Sequence, residues 1–359
     1  MDIAVVALTK RGSELARNIA SQEPAKVDLY IPQKFALPGE HPFTEPLRQM
    51  VPKLLKGYSG VAFIMALGIV VRVVAPHLES KQVDPAIVCL DEGGSFVISV
   101  ASGHLGGANE LAAGLAQRLG ALPVITTATD VQGKIAFDVL ARKLNLAIEP
   151  FQNLKTLNSA VVNDQSIKVF SELSPGQLGY SPEEEAWQNI EVRSLTEFSP
   201  GKVADTDYLV LITNKVRADF PESEITLYLR PKNIIAGVGC RRGVHREQVL
   251  EALETAFQEA GLSLVSLKKI VSVDLKSDEA GLLAAGQQLG IPLEFIPRMK
   301  LEDFLKSQPQ LEQSDFVKAK IGVGGVCEPA AMITAKQARL ILSKQKLQGI
   351  TVALAEERL

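Results

Sequence analysis

At 359 residues, with 41 acidic against 38 basic side chains and a net charge of -3, the chain has no overall positive field, which excludes bulk attraction to nucleic acid. Hydrophobic residues make up 46% and charged ones 22%, the balance of a folded chain, and the length exceeds what one core usually fills, so two or three domains are expected. No apolar run reaches the roughly 18 residues that cross a bilayer, and the acidic Asp2 argues against a secretion signal, so a cytoplasmic chain with no membrane partner is expected.

In chain order, Ile3 to Leu8 is a buried-type strand, followed by a helical pattern through Leu15, Ile19 and Ala20. Val27 to Ile31 is a second strand. The stretch to Pro46 is loop-like, and a helix with Leu47, Met50, Leu54 and Leu55 follows, with Pro52 inside it. Val61 to Leu67 is almost wholly apolar, the mark of a central strand covered on both faces. Two short apolar runs then flank Asp91-Glu92-Gly93-Gly94. Ser102-Gly103-His104-Leu105-Gly106-Gly107-Ala108-Asn109-Glu110 opens a helix whose inner face is Ala108, Leu111, Ala112, Leu115 and Leu119. Alternating strands and helices predict a parallel layer up to about residue 140. In such a sheet ligands sit beyond the carboxyl ends of strands, so Gly68, Asp91-Glu92 and Gly103-His104 are expected to converge there. Bare backbone at Gly106 and Gly107 would then meet an anion. A tight turn carrying a surface histidine is the alternative.

From about Arg142 to Arg230 the signal weakens, with strands near Val169 and over Leu209 to Thr213, and reads as a middle segment or small domain over 141–230. A further α/β unit, 231–359, starts with a strand at Ile234 to Val238 and the turn Gly237-Val238-Gly239-Cys240-Arg241-Arg242-Gly243. That turn is close to a dinucleotide fingerprint, but its third glycine is one place late and no acidic residue is obvious at the end of the next strand. Two other uses stay open: Arg241 and Arg242 gripping carboxylates by their forked guanidiniums, or an ordinary turn with solvated arginines. Val271 to Lys276 reads as a strand and Ser277-Asp278-Glu279 as a capped helix start, with Glu279 a surface acid. Ile321-Gly322-Val323-Gly324-Gly325-Val326-Cys327-Glu328-Pro329 is a third glycine-rich helix opening, and strands over Arg339 to Leu342 and Thr351 to Leu354 close the chain. The expected class is therefore α/β, in two or three domains with mainly parallel sheets flanked by helices.

No phosphate loop, HExxH, GxSxG elbow or CxxC pair is present, and Cys89, Cys240 and Cys327 stand far apart, as buried thiols do. Only four histidines are available, so no protein-held metal is expected. What remains suits a ligand bearing several carboxylates, handled without a resident cofactor by positioning and proton transfer.

Three separated blocks carry a more specific signal. Ala66-Leu67-Gly68-Ile69-Val70-Val71-Arg72 with Lys81, Asp84-Pro85, Asp91-Glu92 and the His104 segment is one; the turn at Gly237 to Gly243 with Asp274 to Glu279 is the second; Val326 to Ala331 is the third. In this order they resemble the CbiG family, the cobalt-precorrin-5A hydrolases of anaerobic cobalamin synthesis, over nearly the whole chain. The resemblance implies hydrolysis of the δ-lactone of a cobalt-containing tetrapyrrole and loss of acetaldehyde to give cobalt-precorrin-5B, the cobalt belonging to the substrate. His104 is the expected general base, alone or relayed through Asp91 or Glu92. Gly68, Arg72, Lys81, Gly103, Gly106, Gly107, Asn109, Gly239, Arg241, Arg242 and Glu328 are the expected substrate contacts. A non-catalytic tetrapyrrole binder and a nicotinamide-dependent oxidoreductase are the competing readings, and the oligomeric state, monomer or homodimer, is left open.

Overall fold

The computed structural model describes residues 2–22, 26–204, 206–308, 311, 323–335 and 337–358. Among the described residues three sheets carry the fold, and they fall in two compact units, residues 1–139 and 140–359.

In the first unit the strands are β1 (Ile3–Ala7), β2 (Val27–Pro32), β3 (His41–Phe43), β4 (Gly60–Ile64), β5 (Ala86–Leu90), β6 (Phe96–Ala101) and β7 (Leu122–Val124), in the order β3-β2-β1-β4-β5-β6-β7. The helices are α1 (Lys10–Gln22), α2 (Leu47–Gly57), α3 (Leu67–Val74), α4 (Ala108–Leu119), α5 (Ala128–Val131) and α6 (Phe137–Lys143). β1, β4 and β5 are buried along their whole length, because helices cover both faces. Alternate residues go to opposite cores. Ile3, Val5, Ala7, Ala62 and Ile64 pack on Ala16 and Ile19 of α1 and Leu111 and Leu115 of α4. Ala4, Val6, Val61 and Phe63 pack on Met50 and Leu54 of α2 and Val70 and Val73 of α3. Strand order reverses between β1 and β4, which opens a crevice at their carboxyl ends.

The strand expected over Val61 to Leu67 stops at Ile64, and Leu67–Val74 is helix α3. The run LGIVVRVV has no readable period, because exposed Leu67, Ile69 and Val71 are as apolar as buried Val70, Val73 and Val74. A second departure matters more: β6 runs antiparallel to β5, with Ile87 opposite Ala101 and Leu90 opposite Val97.

The second unit holds two five-stranded sheets. One is β8 (Leu146–Glu149), β9 (Ile167–Ser171), β10 (Ile190–Ser194), β11 (Tyr208–Ile212) and β12 (Thr226–Pro231), ordered β10-β9-β11-β12-β8, with α7 (Asn153–Val162) and α8 (Pro175–Leu178). The other is β13 (Ile234–Cys240), β14 (Leu267–Val273), β15 (Leu293–Ile296), β16 (Arg339–Leu347) and β17 (Ile350–Glu356), ordered β15-β14-β13-β17-β16. Its helices are α9 (Arg246–Glu259), α10 (Ala280–Leu289), α11 (Arg298–Ser307) and α12 (Cys327–Thr334). Val249, Leu253 and Phe257 of α9 and Leu282 of α10 fill one face of this sheet, and Leu301 of α11 with Ala330 and Ala331 of α12 fill the other.

The middle segment holds a buried cation and meets the C-terminal sheet through polar contacts. Arg230 is 4% exposed. It donates to Glu149 Oε2 at 2.8 Å and to the carbonyls of Thr213 at 3.1 Å and Lys215 at 2.7 Å. Glu149 also accepts from Ser263 at 3.0 Å, and Asn214 donates to Asn233 at 3.1 Å. Among the described residues no helix is long and apolar enough to cross a membrane.

Candidate functional site

The antiparallel step into β6 decides where the expected site residues go. Asp91 and Glu92 follow the carboxyl end of β5, beside the crevice, whereas Ser102 to Gly107 follow β6 and lie at the amino end of β5. Five residues of strand, at about 3.3 Å each, put roughly 15 Å between the two groups. The expected convergence of His104 with Asp91 and Glu92 is therefore corrected: β6 returns to the other edge, and no direct relay joins them.

At the crevice edge, Thr9, Met65, Leu67, Ile69, Asp91 and Glu92 line a cleft of about 340 Å³. Asp91 spends its carboxylate on the β5–β6 turn: Oδ2 accepts from Gly93 N at 3.0 Å, and Oδ1 from Ser95 N at 2.8 Å and Phe96 N at 2.7 Å. Glu92 accepts from Thr9 Oγ1 at 2.8 Å. Gly68 lies exposed in the first turn of α3, and Arg72 reaches back to its carbonyl at 3.4 Å.

At the other edge sits a buried-to-exposed series of ionisable groups. His104 Nδ1 lies 3.1 Å from the Asp138 carboxylate and Nε2 lies 2.9 Å from Asp130 Oδ2 and 3.2 Å from Thr129 Oγ1. Side-chain exposure rises from 4% at Asp138 to 13% at His104 and 35% at Asp130. Asn109 donates to Asp130 Oδ2 at 3.0 Å and to Thr127 Oγ1 at 3.1 Å, and its own oxygen accepts from Ser99 Oγ at 2.7 Å. Burial by itself would lower the His104 pKa. The hydrogen bonds and charges of Asp138 and then Asp130 more than offset it, so the imidazole is raised above its ordinary value. A ring with a carboxylate on each nitrogen is best satisfied as imidazolium, donating twice. Both ring nitrogens of His104, the expected general base, thus face a carboxylate. Lys81 is exposed in the turn before β5, on this same edge.

The glycines here serve packing. A β-carbon on Gly103 would fall 2.8 Å from Asn109 Oδ1, and one on Gly106 would overlap Ser102 and the Asp84 carbonyl. Gly107, at φ 86°, is the αL cap of α4, and its N–H donates to the His104 carbonyl at 3.1 Å. Ala108 and Asn109 N–H groups donate to Ser102 and Gly103 carbonyls, so this helix start is closed on its own loop and the Gly107 N–H expected to meet an anion is already engaged.

In the second unit the expected substrate contacts gather at the carboxyl end of β13. A β-carbon on Gly237 would overlap the Cys327 carbonyl, and one on Gly239 would lie 2.6 Å from Thr351 Oγ1. The strand is thus bare so that α12 can lie directly on it. That removes the room a dinucleotide pyrophosphate needs. Arg242 pairs with Asp278 at 2.5 Å and donates to the Leu275 carbonyl at 3.0 Å. Arg241 is exposed, its stem against Gly349. Glu328 is buried and accepts from Lys344 N at 3.1 Å. Glu279, expected as a surface acid, is 4% exposed; it accepts from Gly243 N at 2.9 Å and pairs with buried Lys276 at 3.4 Å. Ile321 and Gly322 of the third glycine run lie outside the described residues. A separate cleft of about 450 Å³ beside Asn214, Arg339 and Glu356 sits at the amino end of β13, away from this corner.

Sequence reasoning named His104 and Asn109 but missed Asp130, Asp138, Lys276 and Glu279. Lys276 and Glu279 sat in a quoted motif, where their i, i+3 spacing was the signal. Nothing in the sequence marks Asp130 or Asp138, which lie 26 and 34 residues beyond His104.

Three family profiles match the chain in order. Residues 49–130 match a family profile described as cobalamin synthesis G N-terminal, 135–231 one described as cobalamin biosynthesis central region, and 234–355 one described as cobalamin synthesis G C-terminus. A protein of Priestia megaterium named cobalt-precorrin-5A hydrolase is 33% identical over 99% of this chain and 94% of its own. One of the same name from Salmonella typhimurium is 33% identical over 98% of this chain and 97% of its own. A probable cobalt-precorrin-5A hydrolase of Methanocaldococcus jannaschii is 27% identical over 100% of both.

Proposed function

The chain belongs to the cobalamin synthesis G (CbiG) family, and from that membership we propose the reaction of cobalt-precorrin-5A hydrolase for it: opening of the substrate δ-lactone and release of acetaldehyde, giving cobalt-precorrin-5B in anaerobic cobalamin synthesis. The full-length likeness to two hydrolases of that name carries the reading.

Cobalt arrives with the substrate, and the chemistry asked of the protein is proton transfer and charge placement, with no resident cofactor. The Asp138–His104–Asp130 series supplies a proton-handling group, held by Asn109 and Thr129. The His104–Asp138 side of the series is withdrawn from water, where electrostatic effects are larger than in bulk. Of the expected substrate contacts, Lys81, Arg72 and Arg241 are each exposed cations, the chemistry that suits a carboxylate arm of a tetrapyrrole. We place the reaction in the cytoplasm, with neither membrane nor nucleic acid as a partner.

The test is incubation of the purified chain with cobalt-precorrin-5A and an assay for acetaldehyde. Turnover supports the reading; tight binding of the tetrapyrrole with no acetaldehyde would replace it with that of a carrier. His104→Gln should cut turnover by at least about tenfold while leaving binding measurable.

A further inference from the structure

Asp130 differs from its two partners in what its carboxylate leaves open. Oδ2 is saturated, taking His104 Nε2 at 2.9 Å and Asn109 Nδ2 at 3.0 Å. Oδ1 accepts no hydrogen bond among the described residues, and at 35% side-chain exposure this is the member of the series that water reaches. Its orientation is fixed from two sides. Ser99 Oγ donates to Asn109 Oδ1 at 2.7 Å, which turns the Asn109 amide nitrogen toward Asp130. Asp138, almost fully buried, sets the ring plane of His104 from behind. His104 itself has a carboxylate on each nitrogen and so offers no lone pair to a water molecule.

A general base needs a free acceptor atom within hydrogen-bond reach of the proton it removes, on a group that cannot rotate away. We infer that Asp130, through Oδ1, is the catalytic base of the lactone opening, and that His104 and Asn109 are positioning residues acting through it. This rests on the hydrolase reading and adds a residue to it. In the step, a water O–H bond breaks and its proton goes to Asp130 Oδ1 as the water oxygen bonds to the lactone carbonyl carbon. The ring acyl–oxygen bond then breaks, and the departing oxygen takes the proton back from Asp130, leaving a hydroxy acid. No oxidant or reductant enters.

The experiment measures acetaldehyde release by the full chain, wild type and variants, with and without sodium formate. Asp130→Ala should lower kcat by about a hundredfold or more, with KM within about threefold. Formate, a small carboxylate that fits the vacated space, should restore at least about tenfold of that loss. Asp130→Asn, which keeps the volume, should be as slow as Asp130→Ala and gain nothing from formate. His104→Gln should also be deaf to formate. An active wild type alongside Asp130→Asn within about threefold of it would overturn the assignment. So would a folded, slow Asp130→Ala that formate leaves unchanged, since that is how a purely positioning residue behaves. A wild type that releases no acetaldehyde would overturn the hydrolase reading, and this inference with it.

Discussion

Ile87 at the start of β5 pairs with Ala101 at the end of β6, and this single antiparallel contact sends Asp91 and His104 to opposite edges of one sheet. Three backbone N–H groups converge on the Asp91 carboxylate. Its removal is a turn defect more than a loss of chemistry. Asp91→Ala should destabilise the chain by about 1–3 kcal/mol, the cost of leaving donors without an acceptor. Turnover per folded molecule should stay within about threefold, so chemical denaturation and acetaldehyde release measured together check both halves.

His104 makes stability depend on pH. Its folded pKa is raised, so its contribution is fully present below the unfolded value of about 6.5 and fades as pH rises through the folded value. The stability gap between wild type and His104→Gln should therefore be widest at acid pH and narrow above neutrality. Hydrogen bonds to charged groups are worth about 1.5–3 kcal/mol, which sets the scale at the acid end. Urea midpoints at pH 5.5 and 8.5 test the sign, and a gap that grew with pH would contradict it.

Gly237 is where α12 touches β13. Gly237→Ala must push apart two backbones, so a loss of about 3 kcal/mol or more is expected, at the upper end of overpacking costs. Gly57, with open space where a β-carbon would go, is the control: Gly57→Ala should cost nothing measurable. Thermal melts of both report the difference.

How much of this was legible follows from what kind of signal each residue carries. The periodic face of α4, from Ala108 to Leu115, and the whole-length apolar β1 and β4 core were visible because burial on one or both faces writes itself into local spacing. Direction of a strand does not: a hairpin and a crossover share the same local pattern, so β6 was read as one more parallel strand. The glycines were visible, but their reason was not. Gly103, Gly106, Gly237 and Gly239 face protein atoms that lie near them only after folding. Asp130 and Asp138 come to His104 through chain returns that no spacing rule records.

Arg230, at the end of β12, clamps the middle sheet together, holding Glu149 and the carbonyls of Thr213 and Lys215. Arg230→Met should leave two carbonyls without this donor and the Glu149 carboxylate with Ser263 alone, and cost about 3–5 kcal/mol, the range for breaking a buried charge from its partners. Denaturation followed by Trp187 fluorescence, which reports the middle sheet, and by far-ultraviolet dichroism should coincide in wild type and separate in this variant.

Arg241 and Arg242 differ in what holds them. Asp278 competes for Arg242, whereas no ion pair engages Arg241 among the described residues. Arg241→Ala should raise KM by about tenfold, the equivalent of about 1.4 kcal/mol, with kcat unchanged. Arg242→Ala should raise it less. Equal effects on both would mean that neither carboxylate grip is selective.

The seating of α12 on a bare strand also hides a thiol. Cys327 is 1% exposed and its burial pushes the thiol up to about 11, while Cys240, at the end of the same strand, is only partly covered. An alkylating reagent at neutral pH should mark Cys240 on the native protein and reach Cys327 only when the helix lifts away. The lag between the two labels would then act as a clock for local opening, read from side chains the protein already carries.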